Sequence, residues 1–104
     1  MRRGEIWWAE QPAPIGRRPV LLLSRDEAYR IRQAVTVAQV TRTIRDIPVE
    51  VPLGIEDGMP KNCVVNLDTL VTLRKEILHQ RICALSMEKM HQVEDALRFA
   101  LGMD

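Results

Sequence analysis

The stretch Gly16 to Asp26, GRRPVLLLSRD, sets two arginines before a proline and then runs through four apolar residues without a polar interruption. Proline fixes φ and has no N–H to donate, so it suits the first residue of a strand rather than its middle. Val20-Leu21-Leu22-Leu23 lacks the alternation of a half-exposed strand and reads as one covered on both faces. Arg18 therefore stands at the mouth of a rigid, buried element, its own backbone held extended by the proline that follows.

The flanking segments supply the rest of a small sheet. GEIWWAE (4–10) reads as a first strand and QPAPIG (11–16) as a loop, with the buried strand at Pro19–Leu23. Ser24 has the character of a helix N-cap, with Asp26 and Glu27 in the first turn of a short helix within 25–33. AVTVAQVTRT (34–43) alternates and is rich in β-branched residues, which predicts a third strand. IPVEVPL (47–53) places Val49, Val51 and Leu53 on one face, while Pro48 and Pro52 confine it to a sheet edge or a bent position. A loop at 54–62 leads to a long strand at 63–73 and a short one at 80–85. Ser86 then caps a helix in which Met90, Val93, Leu97 and Leu101 recur at helical spacing, ending near Gly102. Short strands followed by one terminal helix predict a single α+β domain over residues 1–104, a curled antiparallel sheet with the helix packed on it.

Charge is unevenly placed. The whole chain carries +1, yet residues 1–45 hold nine arginines, no lysine and four carboxylates, a net +5, and residues 46–104 carry −4. A basic half built only from arginine suits forked recognition of phosphates. No apolar run approaches the roughly 20 residues that span a bilayer, and MRRGEIWW lacks the apolar core of a signal peptide. Cys63 and Cys83 lie in strand-like apolar stretches, as buried reduced thiols do. His79 and His91 have no ligand at metal-binding spacing, and neither common glycine-rich phosphate loop is present, so no metal and no cofactor is expected.

The arginines and the strand-end hydroxyls remain. If the second and third strands are neighbours, Arg18 and Thr41 converge on one rim of the sheet. A guanidinium and a hydroxyl are the donors that hold a phosphate and stabilise charge growing on its oxygens. RNA carries its own nucleophile, the 2′-OH. A protein acting on it without a metal has to orient that group, stabilise the phosphorane-like transition state and see the 5′-oxygen protonated.

In chain order, RRGEIWW, GRRPVLLLSRD, VTVAQVTRT and ALSMEKMHQVEDALRFALGM resemble the MazF/PemK toxins of bacterial toxin–antitoxin systems, over nearly the whole sequence. The resemblance implies an SH3-like curled antiparallel sheet, a small barrel with a C-terminal helix, in a cytoplasmic homodimer. It implies metal-independent cleavage of single-stranded RNA at short sequences, with Arg18 and Thr41 as the catalytic pair. Arg17, Ser24, Arg42 and Arg45 are then expected to bind the RNA. The implied partner is a MazE-like antitoxin whose acidic, largely disordered tail lies in the RNA groove. The loop before the arginine pair is shorter than the family's and lacks its acid, leaving Glu10 and Asp46 as substitute proton acceptors. Two rival readings share the fold. CcdB-type gyrase poisons resemble one another in a C-terminal Trp-Gly-Ile, whereas this chain ends LGMD. The other rival is an RNA-binding module that has kept the groove and lost activity.

Overall fold

The buried run after Pro19 becomes the centre of one six-stranded antiparallel sheet, in the order β4-β5-β3-β2-β1-β6. The structure, a computed structural model, describes residues 1–103. Its elements are β1 (Glu5–Glu10), β2 (Arg17–Leu22), a short helix α1 (Ala28–Ile31), β3 (Ala34–Thr41), β4 (Glu50–Leu53), β5 (Cys63–Arg74), β6 (Leu78–Ala84) and the terminal helix α2 (Met87–Ala100). The fold is the expected curled sheet with a C-terminal helix.

Alternate residues of β2 enter different cores, which is why the run shows no polar period. Leu21 joins Ile6, Val40, Val65 and Leu67 on the face covered by α2. Val20 and Leu22 join Ala9, Val35 and Val37 on the other face, closed by Ala28 and Tyr29 of α1. Val20, Leu21 and Leu22 are all fully buried. On the helix side, Met90, Val93 and Ala96 are the buried stripe of α2. Ser86 caps this helix as expected, its Oγ accepting the Lys89 N–H at 3.0 Å. Leu101, counted with the apolar stripe from its spacing, lies just past the helix and is 56% exposed.

Curvature comes from broken registers. Between Ala38 and Gln39 the partner on β5 jumps from Leu70 to Asn66, so extra β5 residues bulge out and bend the strand pair. The β1–β6 ladder shifts twice as well, after Ile6 and after Trp8.

Three local expectations need correction. β2 begins at Arg17, so Pro19 lies inside the strand. This is tolerated because β3 pairs only with Val20, Leu21 and Leu22, leaving Pro19 with a ladder on the β1 side alone. Ser24 is not a helix cap. The residue before α1 is Glu27, with no side-chain cap, and Ser24 Oγ instead accepts the Thr36 N–H at 2.8 Å. Its carbonyl accepts the Tyr29 hydroxyl at 2.9 Å, so the serine pins the β2–β3 corner. β4 starts at Glu50 rather than Ile47, and as the outer strand beside β5 it accommodates Pro52 at the edge.

Candidate active site

The candidate site forms where β2 and β3 part. Their pairing stops at Val20↔Gln39. Beyond it, Arg17, Arg18 and Pro19 stay with β1, while Val40 and Thr41 pair with β5. The splay leaves a groove of about 550 Å3 whose walls carry Arg17 and Arg18 on one side and Thr41, Arg42 and Thr43 on the other. Sheet geometry puts Arg18 and Thr41 on the same face, because Arg18 alternates with Val20 and Leu22 and Thr41 alternates with Gln39 and Val37. The strand pair expected to bring them to one rim does so.

Two buried amides brace the splay. Gln11, just past β1, and Gln39 of β3 are almost fully buried. Gln11 Nε2 donates to Gln39 Oε1 at 3.1 Å and Gln39 Nε2 donates to Gln11 Oε1 at 2.6 Å. This reciprocal pair joins the hairpin carrying Arg18 to the strand carrying Thr41, across the point where backbone pairing ends. Neither glutamine stood out from the sequence, because an amide in an alternating strand reads as a solvent-facing residue until its partner is known.

The two arginines differ in what already holds them. The Arg17 guanidinium lies 4.2 Å from the centroid of the Trp8 ring, and its Nε is 3.6 Å from Glu10 Oε1. Among the described residues no carboxylate pairs with Arg18, so its fork is left for a ligand. Thr41 Oγ1 accepts the Thr43 N–H at 3.1 Å, which fixes the turn after β3 and leaves the hydroxyl proton to donate.

The far wall comes from the loop after β4. Met59, Pro60 and Lys61 line the groove with Cys63, the first residue of β5. Lys61 was missed from the sequence, since a lone lysine in a polar loop carries no pattern. Burial pushes the Cys63 and Cys83 thiols up from their ordinary value, which keeps them protonated, and both are unbridged. Four cations therefore line the groove, Arg17, Arg18, Arg42 and Lys61, and among the described residues no carboxylate does. That charge suits a polyanion.

The remaining sequence-predicted residues lie elsewhere. Ser24 follows the opposite end of β2 from Arg17, with its hydroxyl taken by Thr36. Arg45 is outside the groove lining, on the segment leading to β4, where Glu50 Oε1 accepts its N–H at 3.0 Å and that of Asp46 at 2.9 Å. Glu10 is engaged by Arg17, and Asp46 sits in a left-handed turn with φ +56°, also outside the groove lining. His79 and His91 are both exposed, and no cluster of three or more His, Cys, Asp or Glu side chains is placed to hold a metal among the described residues. Among the same residues no helix is long and apolar enough to cross a membrane.

Known proteins share both the sequence and the shape. "Probable endoribonuclease MazF2" of Mycobacterium tuberculosis is 41% identical over 103 residues, covering 98% of this chain and 99% of its own length. "Probable endoribonuclease MazF5" of the same species is 43% identical over 101 residues, covering 95% and 91%. The solved structure of Mycobacterium tuberculosis toxin MazF-mt6 superposes with a TM-score of 0.88 at 29% identity, covering 96% of this chain and 98% of that one. A mycobacterial endoribonuclease in complex with its cognate antitoxin matches equally well in shape, with a TM-score of 0.88 at 28% identity, covering 100% and 97%. The sequence pattern of one family fits residues 2–101. The chain belongs to the PemK-like, MazF-like toxins of type II toxin–antitoxin systems.

Proposed function

We propose that this toxin is an endoribonuclease that cleaves single-stranded RNA at short sequences, without a metal, through Arg18 and Thr41. The observation that carries the reading is that Arg18, free of any carboxylate partner, and Thr41 line one groove with four cations and no carboxylate among the described residues. Groove cations seat the phosphodiester. The RNA 2′-OH attacks the neighbouring phosphorus, the bond to the 5′-oxygen breaks, and the products are a 2′,3′-cyclic phosphate and a 5′-hydroxyl. The 2′-OH gives up its proton and the 5′-oxygen takes one up, so the step is neutral overall. Arg18 donates two parallel hydrogen bonds to the oxygens on which charge grows. Thr41 adds a third donor, already oriented by its bond from Thr43. Arg17 and Arg42 hold flanking phosphates; Arg45 and Ser24, away from this groove, have at most an indirect part in holding the strand.

The relatives named as endoribonucleases support the activity, and the neighbour solved with its antitoxin supports an antitoxin as protein partner. An acidic, extended antitoxin segment lying in this cationic groove would exclude RNA by occupying the phosphate positions. The toxin acts in the cytoplasm, where its RNA substrate is, and as a homodimer. Nothing in the groove favours a gyrase-directed reading.

The test is incubation of the purified protein with mixed-sequence RNA in excess EDTA, beside Arg18→Ala, with the fragment ends mapped. Cuts at a recurrent short sequence that leave 5′-hydroxyl ends and vanish in Arg18→Ala are the expected result. Intact RNA with undiminished binding would instead make the chain an RNA-binding module.

A further inference from the structure

Trp8 borders two grooves rather than one. Besides the cationic groove it lines a second, shallower one of about 430 Å3, and the two share Trp8, Met59 and Pro60 as a common ridge. The second groove is otherwise edged by Ile55, Gln80 and Arg81. The two tryptophans of β1 differ in what surrounds them. Trp7 packs against the core on the face closed by α1, and its indole N–H donates to Glu5 at 3.0 Å. Trp8 points to the opposite face and stays half-buried, at the ridge. Arg17 covers its ring at 4.2 Å and lines only the first groove, whereas Trp8 borders the second as well.

Beside that ring stands an amide. Trp8 and Gln80 are direct cross-strand partners on β1 and β6. Opposed residues of an antiparallel pair have Cβ atoms about 5 Å apart and project to the same side. Gln80 is exposed and offers both a donor and an acceptor. An aromatic face flanked by a hydrogen-bonding amide is how unpaired nucleobases are read, by stacking and by contact with the Watson–Crick or Hoogsteen edge.

We infer that Trp8 and Gln80 form a nucleobase subsite: one unpaired base of the RNA stacks on the side of Trp8 toward the second groove, and Gln80 reads its edge. Trp8 supplies affinity that hardly depends on which base is present, since every base has a π-face. Gln80 supplies the preference. The Arg17 guanidinium on the far side of the ring completes a three-layer stack and reaches the phosphate on the cationic side. The strand thus crosses the ridge from the site of cleavage to the subsite. This assignment rests on the RNA-cleavage reading for its consequence in sequence choice, but base stacking is measurable without cleavage.

The test uses a Trp7→Phe protein, whose only tryptophan is Trp8, and short single-stranded DNA oligonucleotides, which lack the 2′-OH and are not cut. Saturable quenching of Trp8 emission, with the same midpoint as fluorescence anisotropy of the labelled oligonucleotide, is expected. Trp8→Leu should weaken binding roughly ten- to a hundredfold and raise KM for RNA with kcat little changed. Trp8→Phe should restore most of the affinity. Gln80→Ala, an exposed change that leaves the fold intact, should relax the base preference at one position of the mapped cut sites. Oligonucleotide binding that leaves Trp8 emission unchanged, no binding at all, or an unaltered cutting pattern in Gln80→Ala would each overturn the subsite. Failure of the cleavage reading shows differently, as RNA left intact by the wild type in EDTA while quenching persists.

Discussion

In the proposed reaction Arg18 is useful because no carboxylate among the described residues claims it. Its neighbour Arg17 is shared between Glu10 and the Trp8 ring, and an exposed contact with an aromatic ring stabilises by only about 0.5–1 kcal/mol. Arg18 keeps a full set of donors and is held by strand pairing with Ala9 on one side and by Pro19 ahead of it. Arg18→Lys preserves the charge but loses the planar fork, so kcat should fall at least roughly a hundredfold in a single-turnover assay. Thr41→Ala should lower kcat by about tenfold or more with little change in RNA affinity, read by comparing single-turnover rates with anisotropy titrations. Equal losses in both would reassign Thr41 to binding. The sequence marks Arg18 through its proline, whereas the end of a β-branched run by itself reads Thr41 as a plain strand former, and only the family resemblance singles it out. Lys61 and Gln39 were not legible, because their roles depend on which strands meet.

Glu5 is a residue of the opposite kind, fully claimed. Its carboxylate accepts from the Arg2 N–H, the Trp7 indole and the Arg81 guanidinium, each at 3.0 Å. Burial pushes its carboxyl up, but these three donors together outweigh that and hold it below the usual value. A group depressed in the folded state contributes stability above its unfolded pKa, and loses it as the pH falls through the folded one. Thermal unfolding of Glu5→Gln should therefore depend less steeply on pH on the acid side than that of the wild type. Parallel acid limbs would remove Glu5 from the linkage.

At the scale of elements, the loop between β4 and β5 shows how a wall is set. Gly58 has φ +98°, and a Cβ there would come within 2.7 Å of Cys83 Cβ on β6. Both the backbone and the contact exclude a larger residue, which seats Met59, Pro60 and Lys61 at the groove. Gly58→Ala should destabilise by about 1–3 kcal/mol in urea unfolding and reduce RNA binding as Lys61 shifts. Element types were legible almost throughout, since periodicity reports burial directly. Boundaries were less so. The β2 strand reaches back to Arg17 because β1 alone suffices to pair it, and Ser24 serves a corner because Thr36 is near in space but not in sequence.

For the whole molecule, net charge is a poor guide and placement a good one. A chain of +1 presents a groove with four cations among the described residues lining it, because its basic half supplies three of them and the loop supplies Lys61. Each phosphate neutralised on a single strand contributes about −0.7 to the slope of log K against log salt. Full engagement of the four predicts a slope of about −3 for an uncleavable oligonucleotide, measured by anisotropy. A slope near zero would place the RNA on another face.

The groove exists because a β-ladder stops early. Were β2 and β3 to zip one pair further, the sheet would gain hydrogen bonds and the cleft would close on Arg18. Pro19, without an N–H, stands at the next rung and withholds the bond that such zipping needs. A residue with an N–H at this position would let the ladder run on at the groove's expense, so sheet stability and an open cleft make opposite demands on one side chain.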